Sequence, residues 1–156
     1  MFLNIVLYQP EIPQNTGNIA RTAAVSASTL HLIKPMGFSL SEKALRRAGL
    51  DYWNLLDVHV YENFEDFKKT YPNQQLYLLT THAQKSYADY HYRPDDFFMF
   101  GKETAGVPEY IHKDPLVTSI RIPMLDLEQA RSLNLSNAVS IILYEALKQN
   151  SFPNLR

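Results

Sequence analysis

Apolar positions in this chain alternate between two patterns. Short runs rich in β-branched and aromatic residues, several of them apolar at nearly every position, fall at residues 2–8, 29–33, 56–61, 75–80, 96–100 and 117–122. Between them lie stretches in which apolar residues recur every three to four positions. Continuous apolar runs suit strands buried on both faces, as in a parallel sheet, and the three-to-four spacing suits helices laid over those faces. The alternation predicts an α/β fold with a mostly parallel sheet and helices on both sides.

The first helix is expected to start near Asn15-Thr16-Gly17, with Asn15 or Thr16 as its cap and Ile19, Ala20, Ala23 and Ala24 as its apolar stripe. Arg21 lies off that stripe. A second, short helix is expected over residues 42–48, capped by Ser41 and closed by Gly49, and a third after Asn63 with Phe64, Phe67 and Tyr71 on one side. The last helix, over residues 136–150, is apolar at Ala138, Val139, Ile141, Ile142, Leu143, Ala146 and Leu147. That surface is wider than one sheet face needs. It predicts a second covering surface, with Leu143 or Leu147 partly buried in a homodimer.

At 156 residues the chain suits one domain spanning residues 1–156. With 46% hydrophobic and 20% charged residues and a net charge of -1, a disordered or broadly basic polyanion-binding chain is excluded, so any nucleic-acid partner must be held by a local basic patch. The absence of cysteine removes disulfides, thiolate metal sites and cysteine nucleophiles. The N-terminal run 1–8 lacks the basic leader of a signal peptide, and no apolar run reaches membrane-spanning length, which reads as a cytoplasmic protein. The five histidines, His31, His59, His82, His91 and His112, lack ligand spacing and read as structural or surface residues, with no metal site.

Two segments carry the candidate chemistry. Phe100-Gly101-Lys102-Glu103-Thr104-Ala105-Gly106 and Ser132-Leu133-Asn134-Leu135-Ser136-Asn137 place small and amide residues where ligand-cradling turns form, the first directly after an apolar run and the second just before the last helix. Taken alone, Gly101 and Gly106 equally suit a plain strand-to-helix turn, and Ser132, Ser136 and Asn137 equally suit helix caps. The first strand is not followed by G-x-G-x-x-G, which argues against a Rossmann-type oxidoreductase.

Together with the run from Asn4 to Arg21 (NIVLYQPEIPQNTGNIAR), Ile122-Pro123-Met124 and Arg131-Ser132-Leu133-Asn134-Leu135-Ser136-Asn137-Ala138, these segments closely resemble the SPOUT-class RNA ribose methyltransferases. Within that class they resemble the small L-type enzymes that act on the tRNA wobble cytidine or uridine. The resemblance covers nearly the whole chain, with the motifs in order. It implies a SPOUT fold with a C-terminal trefoil knot, a homodimer, S-adenosyl-methionine as methyl donor without a metal, and 2′-O-methylation of the wobble pyrimidine in tRNA, with leucine isoacceptors as substrates.

Carried onto this sequence, the pattern makes Leu79, Gly101, Ile122 and Ser132 cofactor-binding, with Thr80, Thr81, Glu103, Gly106, Met124, Leu133 and Asn134 as neighbours. Arg21 is the residue implied to act on the ribose hydroxyl. A guanidinium is effectively never deprotonated, so holding phosphate and stabilising a developing alkoxide is the easier account than a base. Asn18 is a second catalytic candidate and Asn137 a further amide, both in places where amides also serve as caps. Lys43, Arg46 and Arg47 form the densest basic group and are candidates for RNA binding, with Tyr52 and Trp53 available either to stack on bases or to pack inward. Tyr144, in the last helix, is implied to contact substrate, and on its own equally suits packing.

Two positions depart from the family pattern: Ala105 stands where relatives often have arginine, and residues 125–130 are slightly longer than usual. The competing readings are methylation of another tRNA or rRNA ribose and a non-catalytic nucleoside-binding dimer.

Overall fold

The computed structural model describes residues 2–40 and 50–156. The expected short helix over residues 42–48 with its flanks, and with it Lys43, Arg46 and Arg47, lies outside the described residues. Six strands run in the order expected: β1 (Asn4–Tyr8), β2 (Thr29–Ile33), β3 (Asp57–Tyr61), β4 (Leu76–Leu79), β5 (Phe97–Phe100) and β6 (Val117–Ile120). They form one sheet ordered β3-β2-β1-β5-β4-β6, and the five pairings are all parallel. The chain leaves β1 towards one edge through β2 and β3, then returns to build the other half. Such a reversal leaves a crevice at the carboxyl ends of the central strands.

Side-chain alternation along β1 shows how both sheet faces are filled. Ile5 and Leu7 join one apolar cluster with Ile19, Ala20 and Ala23 of α1 (Pro13–Val25) and Val139, Ile142, Leu143, Ala146 and Leu147 of the last helix, α4 (Leu135–Gln149). Val6 and Tyr8 point the other way, to Phe64 and Phe67 of α2 (Phe64–Thr70) and Ile111 of α3 (Glu109–His112). Helix α2 follows Asn63 as expected, and Asn63 caps it, its side chain accepting from the Asp66 N–H at 2.8 Å.

Three local expectations need correction. Helix α1 begins at Pro13, with Ile12 at the cap position and no side-chain cap bond, while Asn15 and Thr16 sit buried in its first turn. Proline is pre-set for a first helical position, and that moves the start upstream. Helix α4 is capped by Asn134, not by Ser132, Ser136 or Asn137: its Oδ1 accepts from the N–H groups of Ser136 at 2.9 Å and Asn137 at 3.3 Å. Leu143 and Leu147, 1% and 3% exposed, are filled from within the chain's own core and offer nothing to a dimer. The outward apolar residues of α4 are Ile141 and Tyr144, at 37% and 42% exposure. Among the described residues no helix is long and apolar enough to cross a membrane.

Candidate functional site

A cavity of about 810 Å³ opens at the carboxyl ends of β5 and β4. Its walls come from the end of β4 and the residues after it (Leu79, Thr80, Thr81), the loop after β5, the segment after β6 (Ile122, Met124), the approach to α4 (Ser132, Leu133, Asn134) and the start of α1 (Ile12, Asn15). The residues expected to bind the cofactor or neighbour it, Leu79, Thr80, Thr81, Gly101, Glu103, Gly106, Ile122, Met124, Ser132, Leu133 and Asn134, all line this one cavity. Segments far apart in sequence therefore converge because each follows a strand of the same parallel sheet.

The loop after β5 is closed on itself. Lys102 and Gly106 exchange backbone hydrogen bonds, Lys102 N–H to the Gly106 carbonyl at 3.1 Å and Gly106 N–H to the Lys102 carbonyl at 2.9 Å. Gly106 has φ 62°, the left-handed region where glycine is at ease. A Cβ on Gly101 would lie 2.5 Å from two backbone atoms of Gly106, so the closure depends on the missing side chain.

Hydrogen bonds tie this loop to α1. The Glu103 carboxylate accepts from the backbone N–H of Glu11 at 2.9 Å and of Ile12 at 3.2 Å, and from the Asn15 amide at 3.5 Å. In the other direction the Glu11 carboxylate accepts from the Thr104 N–H at 3.0 Å and hydroxyl at 2.8 Å. Those two bonds hold the Glu11 carboxyl below its ordinary pKa, helped by Lys102 and opposed by desolvation. Asn15 then accepts from the Asn134 amide at 3.0 Å. Glu103 thus spends much of its hydrogen-bonding capacity on the start of α1 while it lines the cavity.

The other expected site residues lie elsewhere. Arg21 does not line the cavity; it is exposed on α1, its guanidinium 4.8 Å from the centre of the Tyr52 ring and its Nη2 donating to the Tyr52 hydroxyl at 3.2 Å. Asn18 is exposed, and its carbonyl accepts from the Thr22 hydroxyl. Asn137 and Tyr144 are exposed on α4 and also outside the cavity. Tyr52 belongs to a 3-10 helix over Leu50–Leu55, and one face of its ring is taken by Arg21.

Sequence reasoning missed five cavity residues that carry charge or can: His82, Lys102, Glu109, His112 and Arg131. The rings of His82 and His112 meet edge to face with centroids 6.4 Å apart. His82 lies in the turn after β4 and His112 ends α3, with no shared spacing, so no local signal announces them. His31 is fully buried instead, its Nε2 against Asn4 Oδ1 and its Nδ1 against the Tyr61 hydroxyl, both at 2.9 Å. Burial, and then His59, lower its pKa to about 4 against the pull of Asp57. Among the described residues, no group of three or more His, Cys, Asp or Glu could hold a metal ion.

Comparison with known proteins matches the SpoU rRNA methylase family model over residues 2–144. The chain belongs to the SpoU rRNA methylase family. It is 47% identical to the tRNA (cytidine(34)-2'-O)-methyltransferase of Yersinia pestis, over 97% of this chain and 96% of that one. A solved structure concerned with 2-OH methylation of C/U34 on tRNA superposes with a TM-score of 0.90 at 40% identity, covering 96% and 97% of the two chains. The AdoMet-bound rRNA methyltransferase of Sinorhizobium meliloti shares the fold, with a TM-score of 0.83 at 24% identity, over 94% of this chain and 56% of that one. The α/β architecture with its parallel sheet is therefore the SPOUT methyltransferase fold.

Proposed function

We propose that this SpoU-family protein uses S-adenosyl-methionine to methylate the ribose 2′-hydroxyl of the wobble pyrimidine in a tRNA, with leucine isoacceptors as substrates. The observation that carries this reading is the convergence of all the expected cofactor residues on one cavity, in a chain that matches a C34 2′-O-methyltransferase along nearly its whole length.

The residues present fit the cofactor. The cavity volume lies in the range of small-molecule sites. Its lining mixes apolar walls (Leu79, Ile122, Met124, Leu133) with short polar side chains (Thr80, Ser132, Asn134), as a nucleoside carrying an amino-acid tail requires. The closed loop at Gly101 and Gly106 brings bare main chain to the wall. When bound, the cofactor supplies a methyl group activated on sulfonium. The protein's part is to orient the ribose, keep water out and stabilise the oxygen as its proton leaves.

Arg21 is the residue we assign to that oxygen or its neighbouring phosphate, with Asn18 beside it. Because Arg21 does not line the cavity of its own chain, in this reading it serves a ribose held at the cavity of a second copy. The working unit is then a homodimer, and the exposed Ile141 and Tyr144 on α4 are available for contacts outside the chain. Lys43, Arg46, Arg47 and Tyr144 contact the tRNA. The same reading gives a cytoplasmic enzyme with one SPOUT domain over residues 1–156, its C-terminal part threaded as a trefoil knot.

Calorimetry tests the cofactor: S-adenosyl-methionine or its demethylated product binds, and no heat from either at about 1 mM overturns the reading. Mapping ribose methylation in total RNA from a deletion strain tests the substrate. Loss confined to the wobble position of tRNA supports it, and loss at an rRNA site transfers the activity to another ribose.

A further inference from the structure

Arg21 is exposed on α1, where a long guanidinium side chain ordinarily samples many rotamers. Here it is held twice by one residue. Its guanidinium carbon lies 4.8 Å from the centre of the Tyr52 ring, and its Nη2 donates to the Tyr52 hydroxyl at 3.2 Å. No acidic side chain pairs with it among the described residues. The ring limits the tilt of the guanidinium plane and the hydroxyl limits its rotation, while among the described residues only one of its five N–H donors is consumed. A carboxylate partner would fix the group by neutralising it; a tyrosine fixes it and leaves the positive charge for an incoming anion.

We propose that Tyr52 is a positioning residue for methyl transfer, holding the Arg21 guanidinium of its own chain ready for the ribose oxygen or adjacent phosphate. This rests on the proposed role of Arg21. It gives the face of the Tyr52 ring towards Arg21 a different task from stacking on a base, since that face is occupied. The benefit is preorganisation: a charge already placed pays no ordering cost when the substrate arrives, and its effect falls on turnover.

The test is a double-mutant cycle on the full-length protein, with single-turnover methylation at saturating tRNA and S-adenosyl-methionine. Tyr52→Leu is expected to lower the rate about tenfold and Tyr52→Phe, which keeps the ring, about threefold. Cofactor affinity and the KM for tRNA stay within about twofold of wild type. In an Arg21→Ala background neither change has any further effect, because Tyr52 acts only through Arg21. If Tyr52→Leu does not fold, Tyr52→Phe decides alone: a rate loss that vanishes with Arg21→Ala supports the proposal, and a full rate overturns it. A loss that persists in Arg21→Ala, or one that appears in the KM for tRNA, marks Tyr52 as a structural or base-stacking residue and overturns it too. A wild-type protein that neither binds cofactor nor methylates tRNA fails the enzymatic reading instead.

Discussion

Gly101→Ala is the sharpest perturbation of the cavity. The new Cβ would lie 2.5 Å from both the Cα and the carbonyl carbon of Gly106, backbone atoms that cannot rotate away. Carbon atoms pack at about 3.5–4.0 Å, so the loop must open by about 1 Å. That movement breaks or stretches the two Lys102–Gly106 bonds of 2.9 and 3.1 Å, at about 1 kcal/mol each. For a chain of this size about 2 kcal/mol corresponds to roughly 4–8 °C in melting temperature. Because the displaced backbone is cavity wall, S-adenosyl-methionine affinity should fall by at least tenfold, and up to about a hundredfold if the shift reaches the reacting groups. Gly106→Ala is the control: nothing lies within 4 Å of its added Cβ, and the cost is the φ of 62°. It should lose about 1–2 kcal/mol of stability and keep cofactor affinity within about threefold. Calorimetric titration and thermal melts of both variants read these effects. A Gly101→Ala protein that binds within threefold of wild type at an unchanged melting temperature would show that the loop closure does not depend on the missing side chain.

Arg21→Ala should leave cofactor affinity unchanged, since the residue is outside the cavity, while methyl transfer to tRNA falls about a hundredfold; near-normal turnover with labelled methyl donor would show that the catalytic group is misplaced. Glu103→Ala should weaken cofactor binding and lower stability together, by about 2 kcal/mol in urea unfolding, because its carboxylate braces Glu11, Ile12 and Asn15; a variant that loses affinity at full stability would make it a direct ligand. His31, with a native pKa of about 4 against an ordinary 6.5, favours the neutral imidazole. The unfolded chain therefore takes up the proton first as pH falls, so this stabilisation is complete above about pH 6.5, shrinks down to about pH 4, and is smaller by about 2 kcal/mol at pH 5 than at pH 7. His31→Gln should remove that slope from urea midpoints measured at the two pH values.

What the sequence made legible and what it did not differ by the range of the interactions involved. The six strands stood out because burial on both faces makes their apolar runs continuous, and their observed ends fall within two residues of expectation. The start of α1 was misplaced because Pro13 sets it and a carboxylate about ninety residues away serves the backbone donors just before it. The cap of α4 fell among several cap-forming residues, and only the backbone geometry selects Asn134. A broad apolar surface on α4 was legible, but periodicity gives width without neighbours. Leu143 and Leu147 turn inward with α1 and the sheet, and Ile141 is left outside. The cavity-lining segments were readable as motifs, whereas the meeting of His82 with His112 depends on where the turn after β4 and the end of α3 come together.

The hydrogen bonds also explain why three of the motif segments, residues 4–21, 100–106 and 131–138, belong together. The first contributes Glu11 and Asn15, the second Glu103 and Thr104, the third Asn134, and they form one connected set: Glu11 with Thr104, Glu103 with the backbone at residues 11 and 12 and with Asn15, Asn15 with Asn134, Asn134 with the first turn of α4. A polar network of this kind favours the fold only when its members are satisfied at once, so each motif constrains the others across the sheet. Two cavity walls and the helix that carries Arg21 are thereby fixed as a unit. Opening the loop at Gly101 should loosen the start of α1 as well, and hydrogen exchange at the first amides of α1 in Gly101→Ala should rise with the loss of cofactor affinity. Protected α1 amides in a variant that no longer binds would separate the two and leave the network as packing alone.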